Sequence, residues 1–74
     1  MFVLIWKDRH FGVEVEVFEK LQDAFNYTIK EFEKLRIDDY EVMSLSNNMI
    51  RDGVKNYFTY GENDSVRIEE ENIR

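Results

Sequence analysis

The stretch Val13-Glu14-Val15-Glu16-Val17-Phe18-Glu19-Lys20-Leu21-Gln22-Asp23-Ala24-Phe25 contains a change of period, and that change decides the fold class. Up to Val17, valine and glutamate alternate, the pattern of a strand with one dry face and one wet one. Beyond it, Leu21, Phe25, Thr28, Phe32 and Leu35 recur at helical spacing, and Ala24 and Ile29 widen the stripe. That is one face of an amphipathic helix, placed from about Glu19 to Arg36. Glu19 and Asp23 near its start and Lys30, Lys34 and Arg36 near its end complement the helix macrodipole. No Ser, Thr, Asp or Asn stands at the N-cap, so the first helical residue is not fixed by a capping side chain.

Upstream, residues 2–7 are apolar on both alternating faces, with Phe2, Leu4 and Trp6 on one and Val3 and Ile5 on the other. A strand dry on both sides belongs in the middle of a sheet. Asp8-Arg9-His10-Phe11-Gly12 joins it to the valine strand as a hairpin, with Gly12 free to take a positive φ. Downstream, Asp38-Asp39 breaks the helix, and Tyr40–Ser46 alternates as a third strand. Residues 47–53 read as a turn ending in Asp52-Gly53. Val54–Tyr60 forms a fourth strand, Gly61-Glu62-Asn63-Asp64 a second tight turn, and Ser65 to about Ile73 a fifth strand. The chain therefore reads as a single α+β domain over 1–74, order β-β-α-β-β-β, with one helix on an antiparallel sheet.

At 74 residues, with no Cys to staple it, the domain must hold itself together by packing. Its 15% aromatic content suits that task, because buried aromatics bring the most apolar area each. The apolar opening at Met1–Trp6 is met at once by Lys7-Asp8-Arg9 and is shorter than a secretory apolar region. No run approaches the ~20 apolar residues of a membrane span. A cytoplasmic location is expected. The formal net charge of −6 is the wrong sign for neutralising phosphates, so direct nucleic-acid binding and attachment to an anionic membrane are not expected. A protein partner with a basic surface is.

One helix covers one face of the sheet. The valines of the second strand are expected to meet the helix, which leaves Glu14 and Glu16 on the wet side. The first strand must still send large apolar groups away from the helix, so the open face is expected to present apolar anchors. Trp6 and Tyr57 are the candidates, because Trp and Tyr dominate interface hot spots. The alternative use of that face is a homodimer. The acids form three groups: Glu14, Glu16 and Glu19; Asp38, Asp39 and Glu41; and Glu62, Asp64, Glu69, Glu70 and Glu71. Glu14, Glu16, Glu62, Asp64, Glu69, Glu70 and Glu71 are the candidate acidic contact residues, making one anionic stripe if the fold brings them together. Solubility and edge protection are the competing explanation for the same charges.

Catalytic equipment is thin. His10 is the only histidine, and Asp8-x-His10 in a turn fits a solvated turn better than a base or a metal pair. Gly61-Glu62-Asn63-Asp64 lacks the ligand spacing of a calcium loop. There is no phosphate-binding glycine loop and no nucleophile elbow. No enzyme, no metal and no cofactor are expected.

An acidic, Cys-free chain of this size is similar to the small proteins encoded by bacteriophages and mobile elements. The likeness rests on the Val13–Val17 strand, a Phe/Tyr-rich helix and the hairpin Tyr60-Gly61-Glu62-Asn63-Asp64-Ser65-Val66. It rests on size, charge and element order across the whole chain and brings no functional residue with it. The resemblance, to host-defence inhibitors of the anti-CRISPR type, implies a non-catalytic protein that occupies a basic or nucleic-acid-binding surface of a host protein. The alternative is a structural or accessory protein that self-associates through its open sheet face.

Overall fold

The computed structural model describes residues 1–72. Five strands form one antiparallel sheet in the order β2-β1-β5-β4-β3. The elements run β1 (Phe2–Asp8), β2 (Gly12–Phe18), α1 (Leu21–Lys34), β3 (Glu41–Val42), α2 (Asn47–Arg51), β4 (Val54–Tyr60) and β5 (Asp64–Glu70). The fold is α+β as expected, with β1 between β2 and β5. The fifth strand, expected from Ser65 to about Ile73, runs from Asp64 and stops at Glu70, with Glu71 and Asn72 already outside it; Ile73 itself lies outside the described residues.

The core lies between α1 and one face of the sheet. Leu4, Trp6, Phe58, Val66 and Ile68 point up from the strands, and Ala24, Thr28 and Phe32 point down from the helix, all buried. Phe32 is the hub. Its ring meets Trp6, Phe58 and Tyr60 edge-on at 5.2, 5.8 and 5.5 Å between centroids and stacks on Tyr40 at 4.4 Å. Such pairs contribute about 0.5–1.5 kcal/mol beyond their area, which helps a small core without covalent staples. Thr28 satisfies its hydroxyl by donating to the Ala24 carbonyl at 3.0 Å.

The helix starts at Lys20, an N-cap with no side-chain hydrogen bond, in keeping with the missing cap residue. It ends two residues earlier than expected, in a Schellman turn: Arg36 N–H donates to Glu33 O and Ile37 N–H to Phe32 O. Arg36 takes the left-handed conformation this turn requires, φ 58°, and Ile37 packs back on the core. The chain reverses here, ahead of Asp38-Asp39.

The expected third strand, Tyr40–Ser46, is cut to Glu41–Val42. The last ladder contact is Met43 N–H donating to Tyr57 O at 2.8 Å, and a second helix stands further on, where a turn was expected. Ser46 Oγ accepts from Met49 N–H at 3.2 Å and caps α2, and Gly53 closes it at φ 87°. A Cβ at Gly53 would meet the Glu70 carbonyl oxygen at 3.0 Å, so the close backbone approach there also favours glycine.

Candidate interaction surface

Register decides which side chains are available. Leu4 and Trp6 on β1 sit opposite Ile68 and Val66 on β5, all facing the helix. On their other flank, the same two residues sit opposite Glu16 and Glu14. Glu14 and Glu16 are therefore on the helix side, and Val13, Val15 and Val17 point away from it. This reverses the expected orientation of β2. The physical cause is the hairpin loop: Arg9-His10-Phe11 is closed by the His10 N–H donating to Asp8 Oδ1 at 2.7 Å and by Gly12 at φ 90°, which pairs Asp8 with Gly12. A loop of that length sets even-numbered β1 residues against even-numbered β2 residues. Phe18 has the same phase, falling on the helix side and packing on Tyr27 at 5.4 Å. A large apolar residue directly before the helix, out of phase with the valines, was the signal in the sequence for this orientation.

The open face has two halves. One is aliphatic: Val13, Val15 and Val17 are 65%, 57% and 52% exposed, beside half-buried Val3 and Ile5. The other is polar, with Lys7, Ser65, Arg67 and Glu69, and Glu69 is engaged in an ion pair with Arg67. Met49 of α2 and Tyr57 line a depression of about 360 Å³ on that half together with Ile5. Of the two expected anchors, Tyr57 is on the open face and half-buried. Trp6 is not. It is 1% exposed beneath the helix, with its Nε1–H donating to Tyr60 Oη at 2.7 Å. Trp6 lies on the face of β1 that carries the larger side chains, and burying that face removes the most apolar area from water.

The acids do not form one stripe. Glu62 and Asp64 lie at the end of the sheet where the two hairpin turns meet, and Arg9 bridges them at 3.3 and 3.7 Å. Asp64 is 4% exposed and accepts from the Arg9 backbone N–H, so it is a structural tie between the turns and not a contact residue. A Cβ at Gly61 would come within 2.9 Å of its carboxylate. Glu70 pairs with Lys55 at 3.5 Å at the opposite end of the strand, on the helix side, and Glu71 lies beside Met1. Glu69 is on the open face. Glu14 and Glu16 stay together apart from these ion pairs, with Glu31 of α1 close enough to act on the same Tyr27 hydroxyl.

Tyr27 donates to Glu14 Oε1 at 2.6 Å. Burial, and then this carboxylate, push the Tyr27 hydroxyl well above the usual phenol range. Tyr60 is raised by the same causes, burial and then its hydrogen bond to Asp8. At Asp8 burial works to raise the carboxyl, but hydrogen bonds from Tyr60 and from the amides of His10 and Phe11 outweigh it and hold it below the usual range. Between the hairpin tip and the end of α1 lies a cleft of about 350 Å³, lined by Trp6, Phe11, Glu14, Glu31, Lys34 and Leu35. His10 is exposed in the turn beside it. Among the described residues, no three His, Cys, Asp or Glu side chains gather as a metal site, and no helix is long and apolar enough to cross a membrane.

No protein-family model matches the chain, and no curated protein or solved structure matches it either. The functional reading therefore rests on the surface itself.

Proposed function

We propose that this protein is a non-catalytic binding module of the cytoplasm whose contact surface is the β2 side of the sheet. The observation that carries this is the row of Val13, Val15 and Val17, each more than half exposed, continued by Val3 and Ile5 into one aliphatic patch. Single exposed aliphatics are ordinary, but a contiguous exposed row on a regular strand lowers solubility and is the mark of an interaction surface. The finer form of the proposal is an inhibitor of the phage-encoded, anti-CRISPR kind that covers a basic surface of a host protein. The net charge of −6 and the glutamates on the other side of the same strand support that form.

A second reading has its own observation. Because Glu14 and Glu16 point to the helix side, two copies packed open face to open face would bring no β2 carboxylate into the contact. The domain is then a self-associating accessory protein.

The test compares the wild-type chain with a Val13→Thr/Val15→Thr/Val17→Thr variant, both first checked for fold by circular dichroism. Partners retained from a host extract by the wild type and lost by the variant support the binding module. A wild-type dimer by light scattering that the variant reduces to monomer favours self-association. Identical retention and identical mass for both chains would overturn the assignment of this surface.

A further inference from the structure

If the β2 side is a binding surface, as proposed above, β2 itself specifies the chemistry of the partner. It is the long free edge of the sheet, since the opposite edge is the two-residue β3. A strand bonded on one side only presents the amide and carbonyl of every second residue outward, unpaired. Edges of this length are normally blunted by Pro, by charged side chains such as Lys, by a bulge or by a covering element, and the charges on this edge are Glu14 and Glu16. β2 contains no Pro and no Lys, and it pairs with β1 from Gly12 to Phe18 without a register break.

What β2 carries instead is a different chemistry on each side of the sheet. Aliphatic side chains line the open side and carboxylates line the helix side, with Glu14 held in place by Tyr27. The segment Val13-Glu14-Val15-Glu16-Val17 reads the same in both directions. A second copy laid antiparallel on this edge, with valine opposite valine, therefore sets glutamate opposite glutamate. Like charges directly opposite are destabilising. A register offset by one residue instead drives each carboxylate against a valine. Along the full length of the valine–glutamate segment, the edge disfavours its own copy.

A strand of another kind satisfies both sides. The geometry points to strand addition on β2 by an extended segment of a partner protein in which aliphatic residues alternate with Lys or Arg. The partner's aliphatic side chains would lengthen the valine row, and its cations would fall opposite Glu14 and Glu16. The cleft beside Glu14 suits the end of such a cation, because Glu31 adds a second carboxylate and Phe11, half exposed, offers an aromatic wall.

The experiment offers the intact chain two soluble peptides of equal length, one alternating valine with lysine and one alternating valine with glutamate. Binding is read by calorimetry, and the site by exchange rates of the backbone amides. The lysine peptide is expected to bind and to slow exchange at β2 amides, with affinity falling severalfold between about 0.05 and 0.5 M salt. Glu16→Gln, at an exposed position, should weaken it roughly threefold to tenfold, the loss of one or two cross-strand charge pairs. Glu16→Lys should shift the preference toward the glutamate peptide. Equal affinity for both peptides, no binding, protection elsewhere than β2, or indifference to Glu16→Gln would overturn strand addition. If these arms fail while the valine variant still loses its partners, the proposed surface stands and only the strand mode is lost. If the valine variant loses nothing, the surface itself is lost.

Discussion

The strands on either side of β1 have the same pattern and opposite fates. β2 alternates valine with glutamate, and β5 runs Val66-Arg67-Ile68-Glu69, again aliphatic alternating with charged. In β5 the aliphatic residues face α1 and are fully buried, while in β2 they face away and are more than half exposed. Leu4 feels the difference directly, with Ile68 on one flank and Glu16 on the other. Alternation sets the period of a strand but not its phase, because phase comes from the turn that joins it to its neighbour. In β5 the alternation builds the core, and in β2 it builds an outward surface.

The contrast between the two strands is broken most severely at the core. Ile68→Ala should cost about 2–5 kcal/mol in urea unfolding, as a buried aliphatic leaves a cavity. Val15→Ala should cost less than about 0.5 kcal/mol, since its side chain already meets water. Equal costs at the two sites would mean that β2 does not present its valines outward.

Tyr60→Phe comes next. It removes a hydroxyl that accepts from the buried Trp6 Nε1–H and donates to Asp8. Leaving that indole N–H unpaired should cost about 1–3 kcal/mol, measured the same way. The helix-side network also has a pH signature. Tyr27 and Tyr60 are both raised above the usual phenol range, by burial first and by their carboxylate partners second. Their contribution is complete below the unfolded phenol value of about 10 and is lost as pH rises through the folded values. Asp8 works at the other end of the scale: its lowered carboxyl contributes stability above the ordinary Asp range, lost as pH falls through its folded value. A urea-midpoint profile across pH should therefore fall at both ends, and Tyr60→Phe should flatten both limbs.

Tyr27→Phe probes how firmly the phase of β2 is held. It frees Glu14 from its half-buried hydrogen bond and should cost about 0.5–1.5 kcal/mol, with the alkaline limb shallower. The mildest change per substituted residue is expected in the Val13→Thr/Val15→Thr/Val17→Thr variant, within about 0.5 kcal/mol at each position. Its consequence should be seen in contact with partners or in solution mass, which is what separates a surface from a core.

The period of each long element was legible in the residues alone. Valine–glutamate alternation, the stripe through Phe25, Thr28 and Phe32, and the Gly12 and Gly61 turns are local facts, because backbone geometry repeats every two residues in a strand and about every 3.6 in a helix. The Ser46 cap of α2 was present there too, masked by an apparent alternation from Tyr40 to Ser46. Direction was not legible and came from the assembled sheet. Whether Trp6 or Ile5 meets the helix, whether Glu14 or Val15 does, and whether Asp64 is a surface acid or a buried tie to Arg9 all depend on register between segments distant in sequence. A one-residue shift in that register exchanges the two faces of a strand while leaving its pattern unchanged, so local sequence is silent on it.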